Sequence, residues 1–239
     1  MQNSAPRKFA VIATRNRPEI LADAVMSIRP QVDIVYIIDN GDTDRVPDPE
    51  EGSGIDVIRI VPGEVNLSRF WNIGLACAEG AVLSAQRNAD PWTVEVTDDD
   101  MWEVAVINDD PILPEGWFDA IVKAMREAGA AAGCSDPNGS LQRPMLHTTP
   151  GPVGLATRMC GWAHIHAGEK GLRYDEDLKW WFGDDDMDWQ SREAGGTIMI
   201  PGFAVVNRFP DGQFTPELHE QSNRDREYFA QKWNGLVPW

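Results

Sequence analysis

Short apolar runs alternate with segments of helical periodicity in the first 130 residues, and this alternation limits the chain to few folds. The runs are KFAVIATR (8–15), DIVYIID (33–39), IDVIRIV (55–61) and EVAVIND (103–109). Their length and β-branched content predict buried strands. Helices are predicted over RPEILADAVMSI (17–28), LSRFWNIGLACAEG (67–80) and PEGWFDAIVKAMREAG (114–129), the last two ending at Gly80 and Gly129. Strands that alternate with helices predict an α/β fold with a Rossmann-like, mostly parallel sheet flanked by helices.

Polar residues follow three of the four predicted strands. The sequence reads ATRNR after the first strand, IDNGD after the second and INDD after the fourth. Ligands of such sheets bind beyond the carboxyl ends of the strands. The sequence therefore predicts a ligand site at this edge.

Two segments lack a clear period. Residues 84–102 are predicted to form a hairpin or loop before the fourth strand, and residues 134–160, rich in Gly, Pro, Ser and Thr, a long loop. Loops of this length in a compact domain are often lids or binding segments.

The chain carries a formal net charge of −17 over 239 residues. A nucleic-acid-binding surface needs a basic patch, so we expect no nucleic-acid partner. No apolar run reaches the roughly 18 residues of a membrane-spanning helix, so we expect no transmembrane segment. Cys77, Cys134 and Cys160 are odd in number and widely spaced. This fits neither a zinc pattern nor a disulfide framework and predicts a reducing, cytoplasmic location.

Six motifs in a fixed order carry a resemblance to a known family. They are VIATRNRPEILADAVMSI, VYIIDNGDTD, NIGLACAEG, VAVINDDPILPEGWFDAI, RYDEDLKWWFGDDDMDWQSREAGG and REYFAQKWNG. Together they resemble the family-2 glycosyltransferases, the inverting nucleotide-sugar enzymes with the GT-A fold. The resemblance implies one GT-A domain over residues 1–239, with a nucleotide-sugar-binding half at about 8–130 and an acceptor-binding half at about 131–239.

The resemblance implies a donor site built on the loop after the first strand. This loop, from Ala13 to Arg17, is expected to lie against the nucleotide base and diphosphate, with Ala13, Thr14 and Arg15 as its candidate donor-binding residues. Asp39 matches an aspartate that accepts a hydrogen bond from the base, although an aspartate before Asn-Gly also suits a turn.

The third motif departs from the family at one position. Asn72 matches the family's asparagine, but Trp71 stands where the family has an arginine that contacts the diphosphate. Arg69 is the candidate substitute for that contact.

The family's metal-binding Asp-x-Asp motif corresponds here to Asn108-Asp109-Asp110. The resemblance implies that Asp110 is the main ligand of a divalent cation, Mn²⁺ or Mg²⁺, and that Asn108 and Asp109 contact the donor. The cation would neutralise the charge that develops on the leaving diphosphate. A competing triplet lies at residues 98–100, but the segment PILPEGWFDAI after Asp110 has the apolar and aromatic positions of the family.

Family members often carry a late histidine that touches the metal or the diphosphate. His219 is the candidate for that position, and Asn207 belongs to a competing alignment.

Four aspartates crowd into the segment FGDDDMDWQSREAGG at residues 182–196. Asp188 and Arg192 are four residues apart, so on a helix they are neighbours that can form an ion pair. The resemblance assigns the general base for the acceptor hydroxyl to Asp186 and contacts with acceptor hydroxyls to Asp185. Asp184 precedes the family's motif and is expected to be the most solvated of the four.

The sequence thus predicts an enzyme, a metal-assisted glycosyltransferase that inverts configuration. The expected donor is a UDP-, dTDP- or GDP-linked sugar, and the acceptor is a glycan, a small molecule or a protein. A sugar-phosphate nucleotidyltransferase would usually carry a glycine-rich, basic loop early in the chain, which is missing here. A non-catalytic carbohydrate-binding protein could use the tryptophans but would not need two acidic motifs. An NAD-dependent oxidoreductase would need Gly-x-Gly-x-x-Gly after the first strand, where ATRNRPE stands.

Overall fold

The computed structural model describes residues 7–89, 101–137, 139–208 and 215–238. The strands are β1 (Lys8–Thr14), β2 (Ile34–Asp39), β3 (Ile55–Arg59), β4 (Glu103–Ile107), β5 (Pro111–Ile112), β6 (Ala132–Ser135), β7 (Met145–His147), β8 (Ala163–Ala167), β9 (Thr197–Ile200) and β10 (Val206–Asn207). The helices are α1 (Pro18–Ile28), α2 (Leu67–Ala89), α3 (Trp117–Ala128), α4 (Gly183–Glu193) and α5 (Pro216–Lys232). Within these ranges, none of the helices has the length and apolar character needed to cross a membrane.

Eight strands form one sheet in the order β3-β2-β1-β4-β8-β6-β9-β7. The β3-β2, β2-β1, β1-β4 and β6-β9 pairs are parallel, whereas β8 is antiparallel to both neighbours and β7 is antiparallel to β9. Six strands therefore run in one direction and two in the other. The α/β class with a mostly parallel sheet is confirmed, and strands from both predicted halves belong to this sheet.

The register of the parallel strands brings their carboxyl ends to one edge. Thr14 at the end of β1 lies opposite Asp39 at the end of β2, and Ile12 lies opposite Ile107 of β4. Two residues further along β1 and past the end of β4, the same register places Thr14 opposite Asp109. The polar segments that follow three predicted strands are thus neighbours in space.

Both faces of the sheet are covered. On β1, Ile12 packs in the core layer that contains α1 and α3, whereas Val11 packs in the opposite layer with α2. Strands buried on both faces are apolar at successive positions. This explains why KFAVIATR reads as a continuous apolar run.

Of the helix stops predicted at Gly80 and Gly129, only the second is correct. Gly129 follows α3 in the left-handed conformation, with φ of 66°. The predicted stop at Gly80 is wrong, because α2 continues to Ala89. Val82 beyond the glycine is fully buried against the sheet, and its packing outweighs the roughly 1 kcal/mol cost of a glycine inside a helix.

The predicted loops are only partly correct. The loop at 134–160 contains the end of β6 and the edge strand β7, which pairs with β9. Strands this short show no recognisable period in sequence, and the pairing partner lies about fifty residues away. The start of the segment 84–102 belongs to α2, and residues 90–100 of it, including the competing triplet 98–100, lie outside the described residues.

Candidate active site

A cleft of about 560 Å³ opens at the carboxyl ends of β1 and β4. Its walls come from the loops after these strands, from the segment before β8 and from the N-terminal parts of α2, α4 and α5. The lining residues are Ala13, Arg17, Leu67, Trp71, Asn108, Asp109, Asp110, Pro137, Arg158, Met159, Cys160, Gly161, Trp162, Trp180, Trp181, Asp184, Asn207 and Leu218. The cleft thus has an acidic floor, Asp109 and Asp110 beside Arg17, and a third carboxylate, Asp184. Its aromatic wall consists of Trp71, Trp162, Trp180 and Trp181.

Arg17 and Thr14 hold Asp109 on the floor of the cleft. Asp109 accepts a hydrogen bond of 2.7 Å from the Thr14 hydroxyl and one of 3.1 Å from Arg17 Nε. A second guanidinium nitrogen of Arg17 also donates to Asp109. Pro18 opens α1 directly after Arg17, so the helix start fixes where the guanidinium lies.

Asp110 differs from its neighbour because one of its carboxylate oxygens has no partner within the described part of the chain. Arg17 Nη1 lies 3.9 Å from Asp110 Oδ2, whereas Asp110 Oδ1 is buried and has no hydrogen-bond partner among the described residues. Burial raises the pKa of both carboxyls, and the Arg17 guanidinium opposes that rise. A buried carboxylate oxygen without a partner is suited to a cation.

The acidic pair offers a divalent metal only part of a ligand set. The described part of the chain contains no group of three or more His, Cys, Asp or Glu side chains that could hold an ion. Mg²⁺, however, is usually bound by one or two carboxylates together with substrate phosphates rather than by an all-protein cage. Asp110, with Asn108 and Asn207 lining the same cleft, fits a metal shared with a diphosphate.

The two candidates for the late metal-site residue lie in different places. β10 pairs with β5, so that Asn207 is opposite Pro111, and Arg208 N donates to the Asp110 carbonyl at 3.2 Å. Asn207 therefore lines the cleft beside Asp110. His219 is exposed on α5 and is not among the residues that line the cleft.

The predicted donor residues also divide. Ala13 lines the cleft. Arg15 instead pairs with Asp42 at 3.2 Å in the neighbouring loop. Asp39 is fully buried and accepts hydrogen bonds from Gly41 N at 2.8 Å and Val46 N at 3.2 Å. Asp39 thus shapes the turn after β2 in this structure.

Neither polar candidate on α2 lines the cleft. Asn72 makes two hydrogen bonds of 2.9 Å to the backbone of Tyr174, one to the carbonyl and one from the amide. Arg69 is exposed, and its backbone amide donates to Asn66. Trp71, which replaces the family's arginine, lines the cleft. Arg17, the last residue of the predicted donor loop, is the guanidinium that pairs with Asp109 and Asp110.

Two of the four aspartates, Asp186 and Asp188, are buried and held by side-chain partners. Asp188 accepts from Arg192 Nε at 3.1 Å, which confirms the helical ion pair. Asp186 is fully buried and accepts from Trp233 Nε1 at 2.8 Å, Lys232 Nζ at 2.9 Å and Gln190 Nε2 at 2.6 Å. The Asp186 carboxylate thus faces the end of α5 and not the cleft.

The other two aspartates lie at the cleft or next to it. Asp185 is buried and lies 3.4 Å from Arg158, which lines the cleft. Asp184 lines the cleft itself, and a Cβ placed on Gly161 would overlap its carboxylate. From the sequence, Asp184 is expected to be the most solvated of the four aspartates, and it is the one of the four that is not buried. The one sequence feature that could have placed Asp184 at the cleft is its position three residues after Trp181, at the start of α4.

A buried polar network lies next to Trp71 of the cleft, whose ring centroid is 4.7 Å from that of Tyr174. His164 and His166, the β8 histidines, both contact the Tyr174 hydroxyl through Nε2, at 2.6 and 3.0 Å. His164 Nδ1 lies 3.0 Å from the Cys160 carbonyl, so it carries a proton and Nε2 accepts from Tyr174. Burial lowers the pKa of both histidines, which keeps them neutral. The network fixes the Cys160–Gly161 segment that borders Asp184.

No protein-family model and no curated protein sequence matches the chain. GalNAc-T7, solved with UDP, GalNAc and Mn²⁺, superposes with a TM-score of 0.61 at 13% identity, covering 94% of this chain and 48% of that one. The 1–349 segment of S. aureus TarS gives 0.53 at 11% identity, with 83% and 59% covered. Its complex with UDP-GlcNAc gives 0.57 at 8% identity, with 94% and 66% covered.

This chain has the GT-A fold. At 8–13% identity the likeness concerns the fold alone. The chain spans about half to two thirds of the length of these solved chains. Within the GT-A fold, the cleft lies at the carboxyl ends of the parallel strands, where the sequence analysis predicted a ligand site.

Proposed function

We propose that the protein transfers a sugar from a nucleoside-diphosphate sugar to an acceptor hydroxyl, with inversion at the sugar carbon. The proposal rests on one cleft that is lined both by the Arg17–Asp109–Asp110 cluster and by Asp184, together with an aromatic wall. An inverting transferase needs groups that stabilise the leaving diphosphate on one side of the sugar and a base for the acceptor hydroxyl on the other. The reason is that the acceptor attacks from the face opposite the leaving diphosphate. The GT-A fold of proteins solved with UDP or UDP-GlcNAc supports the choice of donor class.

On the donor side, Arg17 contacts the diphosphate. Its Nη1 is buried beside Asp110 and has no hydrogen-bond partner among the described residues. Asp110, with Asn108 and Asn207, would hold Mn²⁺ or Mg²⁺, which when bound neutralises charge on the leaving diphosphate. A fixed guanidinium contributes to the same stabilisation from the chain itself.

On the acceptor side, we assign the general base to Asp184 instead of Asp186. The Asp184 carboxylate takes the proton of the acceptor hydroxyl as the new oxygen–carbon bond forms and the bond to the diphosphate breaks. Asp186 already accepts hydrogen bonds from Lys232, Trp233 and Gln190 and is closed to solvent. A general base must come within hydrogen-bond reach of the proton that it removes.

The test compares asparagine variants of the four aspartates, which keep the side-chain shape. Release of the nucleoside diphosphate is measured from UDP-, dTDP- and GDP-sugars with Mn²⁺, alongside donor affinity. Asp184→Asn should lower turnover by about 10²–10⁴-fold and leave donor affinity unchanged. If Asp184→Asn turns over normally while a folded Asp186→Asn variant is inactive, the base is Asp186. If all four variants keep full activity, the cluster takes no part in catalysis.

A second test concerns the metal. UDP should raise the melting temperature of the protein only when Mn²⁺ is present, and Asp110→Ala should abolish that shift. Asp98→Ala, Asp100→Ala and His219→Ala should keep it. If Asp98→Ala or Asp100→Ala abolished the shift in melting temperature and Asp110→Ala kept it, the metal would be assigned to the triplet at residues 98–100.

A further inference from the structure

Asp225 of α5 is a buried carboxylate whose partners are mostly backbone amides. The residue is 1% exposed. Its Oδ2 accepts hydrogen bonds of 2.8 Å from both Trp180 N and Trp181 N. Its Oδ1 accepts from Lys179 N at 3.3 Å and from the Gln221 side chain at 2.6 Å. One carboxylate thus binds three consecutive amides from a segment more than forty residues earlier in the chain.

Three amides that point to one carboxylate fix the path of the backbone. Charged groups remain buried only where enough donors compensate them, so the segment and Asp225 stabilise each other. Directly after the segment, Phe182 adopts φ of 64°, a left-handed conformation that is rare for aromatic residues. Phe182 also packs against Phe229 of α5, with ring centroids 5.7 Å apart. Helix α5 therefore determines how the chain enters α4.

The segment held by Asp225 forms part of the cleft. Trp180 and Trp181 line the aromatic wall, and Asp184 follows within the first turn of α4. A displacement of the segment would move both the wall and the carboxylate. An error of about 1 Å in the position of a reacting group can cost about 10²-fold in rate.

We propose that Asp225 is a positioning residue for the transfer reaction. It does not touch the reacting atoms. It holds the Trp180–Trp181 wall and the entry of α4, and so keeps Asp184 at its place in the cleft. The role in transfer rests on the function proposed above, whereas the clamp on the segment can be tested independently of it.

The first experiment measures amide hydrogen exchange in wild type, Asp225→Asn and Tyr228→Phe. In Asp225→Asn, an NH₂ group replaces one oxygen acceptor and cannot accept from the amides. Exchange in peptides that cover 179–182 should become faster while the strands keep wild-type protection. Tyr228→Phe is the matched control, because it removes a bond of 3.2 Å from the same helix to Asp175 and leaves the amides bound. Wild-type protection of 179–182 in Asp225→Asn would overturn the proposal.

The second experiment measures UDP release from the UDP-sugar that wild type consumes fastest, with water as the acceptor. Asp225→Asn should lower kcat by about 10- to 100-fold, while the Kd for UDP with Mn²⁺ stays within about twofold of wild type. In the double variant Asp225→Asn/Asp184→Asn, kcat should be less than about twofold below that of Asp184→Asn alone, because the effects of residues that act as a unit are not additive. If Asp225 had a purely structural role, Asp225→Asn would weaken UDP binding, and its loss of kcat would add in full to that of Asp184→Asn. Either result would overturn the proposal.

The two experiments fail separately. If wild type consumes no UDP-, dTDP- or GDP-sugar, the proposed function is wrong, and the exchange measurement alone judges the clamp. Faster exchange confined to 179–182 would then still support Asp225 as the residue that positions the aromatic wall.

Discussion

The buried ion pair between Asp188 and Arg192 allows a quantitative test of the fold. Both side chains are 1% exposed. Arg192 also donates to the Gly151 carbonyl at 2.8 Å and to the Thr149 carbonyl at 3.4 Å. The pair therefore joins α4 to the segment after β7, and removing Arg192 leaves a buried carboxylate without a counter-charge.

Arg192→Met keeps most of the side-chain volume and removes the charge. Breaking a buried pair by removing one partner costs about 3–5 kcal/mol. Domains are typically stable by about 5–15 kcal/mol, so this change removes a large share of the total. At about 2–4 °C per kcal/mol for a chain of this size, the melting temperature should fall by about 6–20 °C.

The assay is equilibrium urea unfolding followed by tryptophan fluorescence. The matched control is Arg224→Met, because Arg224 and Glu220 form a pair with the same spacing on α5 but are 61% and 76% exposed. Exposed pairs of this kind contribute about 0.3–0.5 kcal/mol. A difference below about 1 kcal/mol between the two variants would refute the reasoning, since it would mean that the buried charge is solvated or relaxes at little cost.

Three further predictions follow from single features. Burial lowers the pKa of both β8 histidines, so the free energy of unfolding should fall as the pH drops below about 6.5, by up to about 1.4 kcal/mol per pH unit for each histidine. In a variant with both histidines replaced by glutamine, the urea midpoint should no longer depend on pH in this way. Gly74→Ala puts a Cβ 2.6 Å from Val11 Cγ2. The resulting strain of about 1–3 kcal/mol should exceed the roughly 1 kcal/mol gain in helix propensity, so the urea midpoint should fall. The double variant Gly74→Ala/Val11→Ala should recover part of the lost stability. Gly161→Ala should displace the Asp184 carboxylate and lower kcat with unchanged UDP affinity, whereas Gly154→Ala, whose nearest contact would be 3.9 Å away, should turn over normally.

The sequence by itself determined the α/β class and the edge of the sheet that carries the cleft. Apolar runs and helical spacing are local properties, and the carboxyl ends of parallel strands meet at one edge by geometry. The same local reasoning predicted the Asp188–Arg192 pair correctly, because residues four apart on a helix are neighbours in any tertiary context. It failed at Gly80, where burial of Val82 against the sheet outweighs the propensity of one glycine.

Only the tertiary structure decided which aspartate faces the cleft. All four lie in one helical turn or next to it, so their spacing does not distinguish them. Asp186 is enclosed because Lys232 and Trp233, 46 and 47 residues later in the chain, dock against it. Asp184 remains at the cleft. In the same way, the pairing of β10 with β5 brings Asn207 beside Asp110 in the cleft, whereas His219 does not line it. Helical periodicity defines which residues share a face, but contacts between residues far apart in sequence decide which face is buried.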